Sequence, residues 1–215
     1  MDELNMQSIK FKALLFDMDG TLVESTTEVE KIWGQWCRQH GISLQSVLAI
    51  CHGVRSQDVI AQVAPQLNVL EECRALEAME LASHAPPALS GAADFLQSLG
   101  DIPWAVVTSA CRKVALRRIQ QSGLPEPRML VGSDDVRQGK PAPEPYLAAA
   151  YRLGLSPSDC VVFEDAAAGI QSALAAGCQV IQIGGNPVTP SGIAQVQGWQ
   201  QLMLSRHQNE ILIKK

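Results

Sequence analysis

The sequence predicts an α/β protein: a doubly wound parallel sheet whose first and second strands are separated by an α-helical insertion. Three observations carry that prediction. Short runs that are apolar throughout recur along the chain, as strands buried on both faces of a parallel sheet require. From residue 104 onward such runs alternate with helical stretches, the pattern of a βαβ wind. Between about residues 25 and 84 no such run occurs, and apolar residues fall at helical spacing instead.

The first strand is expected at Ala13–Phe16, four apolar residues that run directly into Asp17-Met18-Asp19-Gly20-Thr21. In the insertion, Val29, Ile32, Trp33, Trp36 and Cys37 recur at helical spacing, and Gly41 is placed to stop that helix. Residues 69–84, rich in Glu, Leu and Ala, predict a second helix, which Ala85-Pro86-Pro87-Ala88 breaks. Residues 25–88 are therefore expected to form a helical domain set into a core made of 1–24 and 89–215. Further strands are expected at Trp104–Val107, 129–131, 160–163 and Gln179–Ile183. Helices are expected at 111–121, 144–153 and Ala167–Ala176. Past residue 186 the pattern weakens, and Glu210–Ile213 is expected as a short edge strand.

The 215 residues are 47% apolar and 18% charged, a globular balance that excludes a disordered chain. No apolar run approaches the roughly 20 residues of a membrane helix. The Met1-Asp2-Glu3-Leu4 start lacks the basic-then-apolar pattern of a signal peptide, so a cytoplasmic protein is expected. A net charge of −5 with no basic cluster argues against nucleic acid or an anionic membrane as partner. The six cysteines (Cys37, Cys51, Cys73, Cys111, Cys160, Cys178) are dispersed and read as reduced thiols. His40, His52, His84 and His207 lack metal-ligand spacing. A monomer is the default expectation.

Asp17 and Asp19 stand two apart where a buried strand ends, so both carboxylates can enter one pocket. In open α/β sheets ligands bind outside the carboxyl ends of the strands. An Asp-Gly turn is the plainer explanation of the same residues. Three more strand ends carry polar residues: Thr108-Ser109, Glu164-Asp165, and Lys140 in a stiff Gly-Lys-Pro-Ala-Pro segment. Each has a bland account as a helix cap, an acid at a helix start or a solvated lysine. Four such ends in one chain are harder to dismiss.

Taken in order, Asp17-Met18-Asp19-Gly20-Thr21, Thr108, Lys140 and Glu164-Asp165 resemble the four motifs of the haloacid dehalogenase-type phosphohydrolases. The resemblance extends from about residue 11 to 185. It implies a Rossmann-like parallel sheet core with an inserted α-helical cap, in agreement with residues 25–88. It also implies that Asp17 is the nucleophile, forming an aspartyl-phosphate, and that Asp19 is the acid and base. Thr108 and the Ser109 amide would then bind the phosphoryl group, Lys140 would neutralise the nucleophile and the phosphoryl oxygens, and the Lys140–Pro141 bond would be cis. Mg²⁺ would sit on the Asp17 side chain, the Asp19 carbonyl and Asp165, with Glu164 in the same acidic group but more an outer partner than a ligand. Electrostatics supports the metal. One like-charge pair at 4 Å costs about 4 kcal/mol at an effective dielectric of 20, and a single lysine does not offset several.

His52-Gly53-Val54-Arg55 resembles a His-Gly-any-Arg segment in the helical-cap sugar and polyol phosphatases of that family, such as the glycerol-3-phosphate and deoxyglucose-6-phosphate phosphatases of yeast. There this cap loop contacts the substrate. The plainer readings are a helix-end histidine and a surface arginine. Trp33 and Trp36 are expected in the cap core rather than as a sugar-stacking platform. Arg112, Lys113, Arg117 and Arg118 are read as solvated helix faces with no role. Similar proteins carry Asp-Ser where this chain has Glu24-Ser25, a departure that bears on the hinge and not on the chemistry. The expectation is a Mg²⁺-dependent phosphatase acting on small sugar or polyol phosphates. A phosphosugar mutase and a phosphorylated receiver domain are the alternatives, and Gly20-Thr21 favours the phosphatase.

Overall fold

The computed structural model describes residues 7–84, 86–184, 193–205 and 208–213. After β1 (Gln7–Lys10) and β2 (Ala13–Phe16) come four helices: α1 (Thr26–His40), α2 (Leu44–Leu48), α3 (Ser56–Val63) and α4 (Val69–Ala82). Helices and strands then alternate: α5 (Ala92–Ser98), β3 (Trp104–Val107), α6 (Arg112–Gln121), β4 (Leu130–Val131), α7 (Glu144–Arg152), β5 (Cys160–Glu164), α8 (Ala167–Ala176) and β6 (Gln179–Ile183). Three short strands follow, β7 (Ala194–Val196), β8 (Leu202–Ser205) and β9 (Glu210–Ile213).

Six strands form one parallel sheet in the order β4-β3-β2-β5-β6-β7. β2 is apolar and buried at all four positions, so it needs strands on both edges and layers on both faces. The two-residue period of the strands divides their side chains cleanly. Leu14, Phe16, Val106, Val161 and Phe163 pack with α5 and α6, whereas Ala13, Leu15, Val107, Cys160 and Val162 pack with α7 and α8. The first core is aromatic: Phe16 stacks on Phe163 at 5.0 Å, and Trp199 lies 5.2 Å from Phe163. The second is lined by Ala149, Ala150 and Ala173, which let both helices approach the sheet closely.

The parallel-sheet fold is the one the sequence predicts, and the predicted elements end within one or two residues of the observed ones. One expectation is corrected. Glu210–Ile213 is not an edge strand but the centre of a separate antiparallel sheet, ordered β1-β9-β8. Its partner β1 is largely exposed and polar, so no apolar run announced it.

Residues 26–82 gather around a core of their own that includes Trp33, Trp36, Val59, Ile60 and Leu76. The two tryptophans meet edge to face at 5.4 Å, and Trp36 Nε1 donates to Glu72 Oε2 at 2.8 Å. Gly41 ends α1 in the left-handed region at φ 65°. The chain segments entering and leaving this unit lie side by side. Glu24 N–H donates to Pro87 O at 3.0 Å, and Leu89 N–H donates to Leu22 O at 2.8 Å. Among the described residues no helix is long and apolar enough to cross a membrane.

Candidate active site

β3, β2 and β5 are adjacent and parallel, so the residues that follow them emerge together on one edge of the sheet. Those residues are Thr108, Asp17 and Asp165. Lys140 reaches the same place from the loop between β4 and α7 and is fully buried. Its Nζ donates to Asp17 Oδ1 at 2.6 Å, to Glu164 Oε1 at 2.6 Å and to Val107 O at 3.0 Å. All three ammonium protons are thereby used. The Lys140–Pro141 bond is cis.

Glu164 is as fully engaged. Oε1 also accepts from Tyr146 Oη at 2.9 Å, and Oε2 accepts the Asp165 and Ala166 N–H groups, each at 3.1 Å. Gly169 makes this possible, because a Cβ there would lie 1.6 Å from Oε1. Asp165 is fixed by Thr21 Oγ1 at 3.0 Å and packs over Gly20, whose φ of 85° and missing Cβ both suit glycine alone.

Asp17, Glu164 and Asp165 each present an oxygen within 4.8 Å of the others. Burial first, and the charge of Glu164 second, push Asp17 well above the ordinary carboxylate range, with Lys140 pulling the other way. The same two causes raise Asp165 to about 7. Burial also opposes the Lys140 ammonium, but Asp17 and then Glu164 outweigh it and keep it charged. The pocket therefore holds more negative charge than its lysine neutralises. Hard oxygen donors in a pocket short of positive charge fit a divalent cation such as Mg²⁺.

Asp19 lies at the rim, its side chain 26% exposed. Ser25 Oγ donates to its Oδ1, as does Arg118 Nη1 at 2.7 Å. Here the expectation of a solvated helix face is corrected: Arg118 is 5% exposed, and its Nη2 continues to Glu80 Oε1 of α4 at 3.0 Å. Its carboxylate partners lie 99 and 38 residues away in sequence, so no local pattern signals the contact. Tyr146 was equally hidden, as one apolar-face residue of α7.

Residues 26–82 roof this site and enclose a cavity of about 170 Å³, bordered by Trp33, Arg55, Glu77 and Glu80 among others. Trp33 thus serves both the core of that unit and the cavity wall. Arg55 is not a surface charge. Its Nε and Nη2 grip Asp58 at 2.7 and 3.1 Å, Nη1 donates to Val136 O, and Nη2 also donates to Arg137 O, both at 3.1 Å. The guanidinium is thus a clasp between the helical unit and the loop after β4. Ser109 Oγ adds a second clasp, donating to Gly53 O at 2.8 Å. Thr108 Oγ1 accepts the Ala110 N–H at 3.1 Å. His52 is half-exposed, with Nε2 3.3 Å from Glu30 Oε1.

Residues 11–177 match the family model described as haloacid dehalogenase-like hydrolase. The chain is 41% identical over 193 residues to hexitol phosphatase A of Escherichia coli (strain K12), covering 85% of this chain and 87% of that protein. It is 35% identical over 189 residues to glycerol-1-phosphate phosphohydrolase 2 of Saccharomyces cerevisiae, covering 82% of this chain and 76% of the relative. In fold it is similar to the crystal structure of β-phosphoglucomutase from Clostridium difficile, with a TM-score of 0.79 at 18% identity, covering 90% and 93% of the two chains.

Proposed function

The chain belongs to the haloacid dehalogenase-like hydrolases, and from that premise we propose a phosphoric monoester hydrolase that frees phosphate from small sugar or polyol monophosphates. The observation that carries the chemistry is a pair of carboxylates two residues apart and held differently. Asp17 is buried against Lys140, whereas Asp19 stands at the rim, held through one oxygen.

Asp17 attacks phosphorus and the bond to the leaving alkoxide breaks, with Asp19 giving that alkoxide a proton. Water then attacks the aspartyl-phosphate, passes a proton to Asp19, and frees Asp17 and inorganic phosphate. Lys140 holds Asp17 in place and opposes the charge gathering on the phosphoryl oxygens. Thr108 and the Ser109 N–H bind those oxygens. The Asp17 and Asp165 side chains and the Asp19 carbonyl would hold Mg²⁺, which would supply the remaining positive charge. Glu164, with four donors already on its oxygens, serves as the counter-ion of Lys140 beside the metal. His52 and Arg55 border the cavity from the roof and face the substrate there. Residues 25–88 act as the cap that excludes bulk water until the leaving group has gone. Six free thiols suit a reducing compartment, and we place the enzyme in the cytoplasm.

The mutase alternative needs a bisphosphate in the cavity. Glu77 and Glu80 border that space, and Arg55 and Arg118 already face carboxylates. A second phosphate would meet acid there. Phosphate release is therefore expected from hexitol, glycerol and hexose monophosphates with Mg²⁺, and not with chelator. Hexose bisphosphates are expected to react at least about tenfold less well, since one unmatched charge at an effective dielectric of 20 exceeds that cost. Interconversion of glucose 1- and 6-phosphates with a bisphosphate primer would overturn the phosphatase.

The metal makes a separate prediction through pH. Burial and the charge of Glu164 push Asp165 in the metal-free fold from an ordinary 3.8 up to about 7. Between those values the folded state keeps a proton that the unfolded chain has lost. Its contribution is whole below 3.8 and is lost as pH rises through about 7. Mg²⁺ competes with that proton, so its rise in melting temperature is expected to be larger at pH 8 than at pH 5. An equal rise at both values would remove Asp165 from the metal site.

A further inference from the structure

We infer that Arg118 is a positioning residue for Asp19 and that Glu80 of the helical unit holds it to that task. This rests on the phosphatase reading, in which Asp19 carries the proton. Among the described residues, every hydrogen bond to the Asp19 carboxylate ends on Oδ1, from Arg118 Nη1 and from Ser25 Oγ. Two donors on one oxygen fix the carboxylate and leave Oδ2 to exchange the proton with the leaving group and then with water.

The guanidinium itself is held from the far side. It is 5% exposed, and burying it is unfavourable unless its donors are matched by acceptors. Glu80 Oε1 supplies the second match through Nη2 at 3.0 Å. The planar fork of an arginine spans two carboxylates on two elements, where a lysine offers a point charge. Arg118 stands on α6, Asp19 on the turn after β2, and Glu80 on α4. The carboxylate is therefore fully held only while α4 rests against α6, which ties the aim of the proton carrier to the docking of the roof.

Leaving-group chemistry tests this, because an alkoxide needs a proton to depart and p-nitrophenolate does not. In kcat/KM, which covers the steps up to departure of the leaving group, Arg118→Gln is expected to cost about a hundredfold on glycerol phosphate. On p-nitrophenyl phosphate the expected cost is under about tenfold. Arg118→Lys is expected to recover part of the loss, and Glu80→Gln to show the same asymmetry at smaller size. Equal losses on both substrates, or none, would overturn the positioning role while leaving the phosphatase intact. Should Arg118→Gln fail to fold, as its melting curve would show, Glu80→Gln decides by the same ratio. A wild-type protein that hydrolyses neither ester would instead overturn the phosphatase reading, and this inference with it.

Discussion

Asp17→Asn is expected to abolish phosphate release from every substrate, by on the order of 10⁴-fold or more, in a protein that stays folded. The amide matches the carboxylate in shape but offers no nucleophilic oxygen anion. It does not orphan the lysine either, since Lys140 Nζ keeps Glu164 Oε1 and Val107 O. Stability is expected to move the other way. Burial and the neighbouring Glu164 make ionised Asp17 costly in the metal-free fold, so removing its charge relieves the pocket. Metal-free Asp17→Asn should therefore melt above wild type at pH 8, and Mg²⁺ should narrow the gap by stabilising wild type more. Near-wild-type turnover by the folded variant would end the aspartyl-phosphate mechanism. A lower melting temperature would show instead that the Asp17–Lys140 pair is net stabilising.

Much of this site was legible because its residues stand where a local pattern changes. Asp17, Thr108 and Glu164-Asp165 each close an apolar run, and a strand end is a position that periodicity locates well. Lys140 was marked by the rigid segment around it. What stayed hidden were contacts made across the fold. Tyr146 and Arg118 look like ordinary helix residues, and only the placement of α7 and α6 brings them to Glu164 and Asp19. Arg55 stands in a recognisable His-Gly-any-Arg segment, but no local pattern signals that its donors clasp Asp58 and the carbonyls of Val136 and Arg137. Short elements failed for a related reason: the five residues of α2 and the polar β1 are too brief or too mixed to show a period.

Lys140→Met is expected to cost about 3–5 kcal/mol of stability, because it leaves two carboxylates facing each other without their shared cation. The lysine has no exposed surface, so water does not take its place. Activity should fall as well, by about 10²–10³-fold, the usual cost of losing one preorganised charge aimed at a transition state. The two losses have one cause and can be separated by a second change. Glu164→Gln added to Lys140→Met removes one of the two stranded charges. The Gln side-chain oxygen can still accept the Asp165 and Ala166 N–H groups, and its amide N–H can donate to Tyr146 Oη. The double variant should regain much of the denaturation midpoint yet remain as slow as the single one. Stability without turnover would assign the lysine's charge to the phosphoryl group as well as to the fold. Were the double variant to regain both, Lys140 would be a folding residue alone; were Lys140→Met as stable as wild type, the pocket would have to draw its positive charge from elsewhere.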